Sequence, residues 1–181
     1  MGEPNPAQWL LFPIFPLSNS RTMQDTEQFS WFQVPEDIKE LLILAAENWE
    51  NTSESEKYIN QAVAKTGNNT DVLIAAYRYF YYKQNYPMAL QTAEKVIEKV
   101  KNIEKLPNEW DKLKPILINR KESANIRLYL NAYAASGLVL AKLEKIDKAK
   151  EICTKVKEID DKNDFGAGIL FDILTRPPEE D

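Results

Sequence analysis

Apolar residues recur every three or four positions from Pro35 to about residue 175, which is the spacing of one face of an α-helix. The first such stretch places Ile38, Leu41, Leu42 and Ala45 on one face. Short polar interruptions separate the stretches. Only five of the 181 residues are glycine, which disfavours a barrel or sandwich with many tight turns. The pattern therefore predicts an all-α protein whose helices are joined by short connections.

Residue types at the ends of these stretches predict where several helices begin. Ser53, with a glutamate three residues later, has the pattern of a capping box for the second helix. Thr70 is predicted to cap the third helix. We also expect a helix over residues 108–119, capped by its first residue, with Pro115 bending it or ending it early. A final helix is predicted over residues 163–175, where it would cover the end of the stack.

One pattern occurs at two helix starts. Tyr86-Pro87-Met88-Ala89 and Ile146-Asp147-Lys148-Ala149 have the same arrangement and lie 60 residues apart. That step equals one unit of about 34 residues, the period of a common helix-pair repeat, plus 26 extra residues. The extra residues are predicted to form an insert near 101–126, where lysines, asparagines and two prolines interrupt the periodicity.

The chain resembles the tetratricopeptide-repeat (TPR) family, and its third helix pair carries the best match. That pair has Tyr133, Ser136-Gly137 and Leu140 in its first helix and Ala149 in its second. The resemblance covers about residues 36–175 and implies antiparallel helix pairs stacked into a right-handed superhelix. It also implies that Gly137 occupies the small position where the two helices of a pair approach closely.

The resemblance further implies a concave groove lined by the first helix of each pair. In the second pair, the run Tyr77-Arg78-Tyr79-Phe80-Tyr81-Tyr82 spreads around more than half of the helix, so core packing need not consume all of it. In the alternative interpretation, Tyr81 and Tyr82 pack against the insert or the N-terminal segment. Carried over residue by residue, the predicted groove consists of Leu44, Asn48, Ile74, Arg78, Tyr81, Tyr82, Asn131 and Leu138.

The inventory of reactive side chains is small. The chain has no histidine and one cysteine, Cys153, which excludes histidine-based catalysis and any internal disulfide. Cys153 falls on an apolar helix face and is predicted to be a core residue. Asp160, Asp161, Asp164 and Asp172 begin like a calcium loop, but a phenylalanine fills one ligand position and the last ligand is not glutamate. We interpret them as a turn with helix caps, and we predict no enzyme activity, no metal and no cofactor.

Residues 1–35 differ from the rest of the chain in being rich in proline and poor in charge. Their run of nine apolar positions is too short to span a bilayer, which needs about 20, and no Lys or Arg precedes it as in a signal peptide. We expect an extended strap that folds onto the chain's own helices, docks into a partner or a second copy, or lies on a membrane surface. Its predicted contacts are made by Trp9, Phe12, Phe15 and Leu17.

The predicted organisation is a strap (residues 1–35), a helical array (36–175) and an acidic tail (176–181). A net charge of −5 and an isoelectric point near 5.0 argue against nucleic acid as a partner. We therefore predict a cytoplasmic, non-catalytic interaction module or scaffold that binds an extended peptide in its groove. The peptide would come from another protein, from the strap or from a second copy. The alternative is a membrane-peripheral assembly factor anchored by the strap.

Overall fold

A computed structural model of the chain describes residues 34–67 and 69–176. Across these two ranges all regular secondary structure is helical and no strand occurs, which confirms the all-α prediction. Most of the predicted strap and of the acidic tail lies outside the described residues. The helices are α1 (Glu36–Glu47), α2 (Thr52–Lys65), α3 (Thr70–Tyr82), α4 (Tyr86–Glu104), α5 (Trp110–Asn119), α6 (Ala124–Lys142), α7 (Ile146–Lys157) and α8 (Ala167–Thr175).

The described residues form two compact units. The first unit ends at Thr92 and contains α1, α2, α3 and the start of α4. Within it α1 packs on α2, and α2 packs on α3. Ile59 and Val72 are fully buried there, and the buried Ser55 hydroxyl donates a 2.7 Å hydrogen bond to the Ala45 carbonyl. A helix-to-helix hydrogen bond of this kind satisfies a polar group that would otherwise be costly to bury.

The second unit begins at Ala93 and contains the rest of α4 with α5, α6, α7 and α8. Here α7 packs on both α6 and α8, and α6 also contacts α8. One apolar core connects these helices. Its members are Val100, Leu106, Leu113, Leu117, Ile126, Tyr129, Leu130, Ala134, Val156, Ile159, Phe165 and Ala167.

Two predicted helix caps are wrong by one or two residues. The N-cap of α2 is Asn51, whose side-chain oxygen accepts from the Glu54 amide at 3.3 Å, and Ser53 already lies inside the helix. The N-cap of α3 is Asn69, which accepts from the amides of the second and third helical residues. In both places a short asparagine side chain precedes the hydroxyl residue and reaches the free amides first.

The predictions for α5 and α8 also need correction. Helix α5 begins at Trp110, and it continues past Pro115 because the buried Leu113 and Leu117 flank the proline and hold the helix in the core. Helix α8 begins at Ala167 rather than at residue 163. Asn163 and Gly166 have positive φ angles of 56° and 71°, which a right-handed helix does not allow.

None of the helices in the described residues is long and apolar enough to cross a membrane.

Candidate functional site

The aromatic run on α3 is divided between core and surface. Tyr77, Tyr79 and Phe80 are at most 2% exposed and belong to the core of the first unit. Tyr81 and Tyr82 are half-buried. Tyr77, Tyr79 and Phe80 are therefore core residues, whereas Tyr81 and Tyr82 keep some accessible surface.

The buried rings fix the orientation of α3. Tyr79 meets Trp49 edge to face, with ring centroids 5.7 Å apart, and its hydroxyl donates to the Thr52 carbonyl at 3.4 Å. Burial raises the pKa of Tyr79, so this hydroxyl keeps its proton. The Lys83 ammonium donates to the Trp49 carbonyl and lies 4.3 Å from the centre of the Trp49 ring. These contacts attach the end of α3 to the connection between α1 and α2, and so hold the outer face of α3 in place.

A tyrosine cluster of four residues connects the core to the outer face of α3: the buried Tyr77, the half-buried Tyr81 and Tyr82, and Tyr86 at the start of α4. Tyr81 lies at its centre: it stacks on Tyr77 (centroids 6.0 Å, planes 15° apart) and meets Tyr82 edge to face at 5.6 Å. Tyr86, the first residue of α4, contacts Tyr81 at 5.9 Å. Aromatic pairs at such distances stabilise one another, so the four rings form one packed cluster.

Two polar atoms in this region are buried, the hydroxyl oxygen of Tyr77 and Nε of Arg78. The Tyr77 hydroxyl has no hydrogen-bond partner in the described part of the chain, and burial followed by the nearby Tyr81 raises its pKa above the ordinary range. Burial lowers the pKa of Arg78 to about 10, partly offset by the neighbouring Tyr82. Arg78 therefore still carries its charge at neutral pH, and the face combines phenol rings with one cation.

All eight residues of the predicted groove are half-buried, but they lie on three helices in two units. Leu44 and Asn48 are next to the end of α1, where the Asn48 amide donates to the Leu44 carbonyl at 2.8 Å. Asn131 and Leu138 lie on α6, in the second unit. The remaining four, Ile74, Arg78, Tyr81 and Tyr82, share α3. The predicted strap contacts Trp9, Phe12, Phe15 and Leu17 lie outside the described residues.

Two members of the tyrosine cluster were not part of the predicted groove. Tyr77 lies one helical turn before Tyr81, and that spacing could have indicated the stacked pair. Tyr86 follows the turn at residues 83–85, where Gln84 has a φ angle of 59°. No helical spacing relates Tyr86 to Tyr81, so only the geometry of that turn brings the two rings together.

The reactive groups singled out in the sequence have structural roles. Cys153 is 1% exposed, and burial raises the pKa of its thiol to about 11, so it is protonated at neutral pH. The Asp160 carboxylate accepts from the amides of Asp164 (2.7 Å) and Phe165 (2.9 Å), which confirms the turn. The predicted helix caps are wrong, because the N-cap of α8 is Gly166 and no aspartate side chain caps that helix. Among the described residues there is no group of three or more acidic or cysteine side chains that could hold a metal ion.

The fold and the face described here define an all-helical protein with an aromatic surface cluster on one anchored helix. No family model matches the sequence, and no solved structure matches it. The chain is 31% identical over 140 residues to the "Uncharacterized 19.8 kDa protein in nifW 5'region" of Azotobacter chroococcum mcd 1. The aligned part covers 75% of this chain and 77% of that protein. The chain therefore belongs to the same family as the Azotobacter protein.

Proposed function

We propose that the chain is a non-catalytic binding module of the TPR type, which binds an extended peptide of another protein against the tyrosine cluster. The observation that carries the proposal is the division of α3 into a buried, anchored side and an outer side with half-buried tyrosines. A surface built for solubility alone would carry charged side chains at such positions rather than neighbouring aromatic rings.

Packing in the two units supports the TPR type. Helices that follow one another in the chain pack together, α1 with α2 and α6 with α7, as in an array of helix pairs. A Cβ atom added at Gly137 would lie 3.1 Å from Cγ2 of Ile152, so α6 and α7 approach closely at the position where the repeat pattern has a small residue. The right-handed superhelix is part of this proposal.

The composition of the face supports a peptide as ligand. Tyrosine and arginine are the residue types that dominate binding energy in protein interfaces, because they combine a large contact surface with hydrogen-bond donors. The tyrosines are pre-ordered by contacts with one another, so binding costs little side-chain entropy. The expected ligand is an extended segment that offers apolar side chains to the rings and carbonyl oxygens to the donors.

The proposal is tested by selecting binders from a library of random 12-residue peptides on the full chain. Each selected peptide is then tested against the Tyr81→Ala/Tyr82→Ala chain and against a Tyr58→Ala control. Tyr58 is a half-buried tyrosine on α2, outside the cluster. Binding that is lost in the first variant and kept in the control supports the proposal. A selection that yields no peptide dependent on the two tyrosines contradicts it.

The membrane-peripheral alternative depends on the strap, which lies outside the described residues. Flotation of the full chain with liposomes of neutral and acidic lipids separates this alternative from peptide binding. The binding module is expected to stay in the lipid-free fraction with both compositions.

A further inference from the structure

We propose that the chain's own residues 9–17 bind to the tyrosine cluster in cis, as a polyproline-type strand, and keep the face occupied until a partner displaces them. This inference rests on the proposed function, since it assigns an occupant to the same face. It commits to one ligand chemistry, an extended segment with prolines three residues apart.

The sequence of the segment favours this conformation. Pro13 and Pro16 lie three positions apart, and the residue before each proline is disfavoured in helical backbone and favours an extended one. A polyproline helix has three residues per turn, so both prolines fall on the same side of the strand. Its carbonyl oxygens have no internal partner, and proline supplies no N–H. The segment therefore offers carbonyl acceptors along its whole length, while its two prolines lack the N–H donor.

The tyrosine cluster offers the complementary chemistry. Its accessible side has the phenol groups of Tyr81, Tyr82 and Tyr86, all half-buried. The buried hydroxyl of Tyr77, whose ring stacks on Tyr81, is a donor without an acceptor among the described residues. Flat aromatic rings with adjacent donors are the surface on which proline-rich strands dock in other folds. The hydroxyl donors of the cluster thus match the free carbonyl acceptors of a polyproline-type strand.

Charge does not oppose the contact. The first cationic side chain of the sequence is Arg21, and the only charged side chain before it is Glu3. The segment therefore brings no cationic side chain toward the Arg78 guanidinium.

Chain length favours binding in cis. Val34, the first described residue, is 5% exposed and belongs to the same unit as α3. Sixteen residues lie between Leu17 and Val34, and the 17 steps of chain, at about 3.3 Å each, reach up to about 56 Å. Helix α3 has 13 residues and is about 20 Å long. A linker that can span the distance holds residues 9–17 near the cluster of their own chain at an effective concentration of about 1 mM. In dilute solution, the same segment of a second copy is far less concentrated.

The experiment places the photo-cross-linking residue p-benzoylphenylalanine at position 15 of the full chain. Equal amounts of unlabelled and ¹⁵N-labelled protein are mixed and irradiated, and tryptic peptides are identified by mass spectrometry. We expect cross-links to the peptides that carry α3, residues 66–78 and 79–83, in pairs of the same isotope only. Cross-links confined to other helices, or pairs that mix the isotopes, contradict binding in cis.

Variants test the chemistry of the contact. Replacing both prolines in Pro13→Ala/Pro16→Ala is expected to lower the yield of the α3 cross-link at least fivefold. The matched control Asn5→Ala/Asn19→Ala changes polar residues of the same segment and should leave the yield unchanged. Tyr77→Phe keeps the stacked ring and removes the hydroxyl, so a severalfold loss of cross-link without a lower melting temperature is expected. An equal yield in the proline variant and the control refutes the polyproline assignment.

A peptide from the selection described above separates this inference from the proposed function. If that peptide binds through Tyr81 and Tyr82 and also displaces the α3 cross-link, both proposals hold. If the peptide binds but position 15 never cross-links to α3, the function stands and the cis strap is refuted. If the cross-link forms and no peptide binds, the strap is a permanent part of the fold and the proposed function is refuted.

Discussion

Gly137 lies on α6 where that helix packs against α7. The nearest atoms to an added Cβ would be Cγ2 and Cβ of Ile152, at 3.1 and 3.5 Å, followed by Sγ of Cys153 at 3.6 Å. The space is thus enough for glycine and tight for any larger residue. Interiors packed at this density respond to extra methyl groups by strain, because the neighbours cannot move freely.

We predict that Gly137→Val lowers the free energy of unfolding by about 1–3 kcal/mol, since its methyl groups collide with Ile152. Urea denaturation measures the change. In the Gly137→Val chain, Ile152→Ala should cost less than it does in the wild type, because it removes the colliding group. As a control, Ala141→Val on the half-exposed part of the same helix should cost only about 0.5 kcal/mol. Strictly additive effects of the two substitutions would contradict the close approach.

Helix boundaries show which features of the elements can be predicted from sequence. The apolar pattern of residues 122–143 predicts one long helix, and α6 spans Ala124–Lys142, within two residues of that range at each end. The start of α8 was missed by four residues because the positive φ angles of Asn163 and Gly166 depend on how the preceding turn is held by Asp160. Pro115 was expected to disturb α5, but two buried leucines offset the loss of one backbone hydrogen bond.

In the candidate site, too, some features follow from the sequence and others depend on how the chain packs. Tyr81 and Tyr82 were assigned to the groove by the resemblance to the TPR family, and that assignment stays a prediction. The stacking of Tyr77 on Tyr81 and the contact with Tyr86 depend on ring orientation and on the turn after α3, which are decided by packing. The assignment of Asn131 and Leu138 to the same groove stays a prediction.

The cap of α2 provides a prediction with a matched control. Asn51→Ala should lower the free energy of unfolding by about 1 kcal/mol, because it leaves the Glu54 amide without its acceptor. Ser53→Ala removes the hydroxyl that the sequence pattern favours, but Ser53 is exposed within the helix, and the change should stay within about 0.5 kcal/mol. Denaturation of both variants measures the difference. A larger loss for Ser53→Ala would restore the capping box and refute Asn51 as the cap.

On the scale of the whole molecule, one carboxylate connects three helices of the second unit. Glu104 is the last residue of α4; it accepts from the Asn125 amide on α6 at 2.6 Å and forms an ion pair with Arg120, which follows α5. The hydrogen bond from Asn125, followed by that from Arg120, lowers the pKa of Glu104 below its ordinary value of 4.5. The folded state therefore favours the ionised form.

This shift predicts a pH dependence. Because the pKa is lower in the folded chain, the stabilisation by Glu104 is fully present above pH 4.5 and is lost as the pH falls through the folded-state pKa. Glu104→Gln should lower the urea midpoint at pH 7 and have little effect at pH 3. The exposed Glu98→Gln should change neither value appreciably. An equal loss for Glu104→Gln at both pH values would mean that shape rather than charge determines the contribution of Glu104.

The central claim is that the tyrosine cluster on α3 is a binding surface. Isothermal titration of one selected peptide into the wild-type, Tyr81→Ala and Tyr58→Ala chains tests it most directly, with melting temperatures recorded to establish that each chain is folded. Tyr81 contacts the other three rings of the cluster, so its removal should raise the dissociation constant at least tenfold, about 1.4 kcal/mol. The Tyr58→Ala chain should bind within twofold of the wild type. A dissociation constant that is unchanged in a folded Tyr81→Ala chain would contradict the claim.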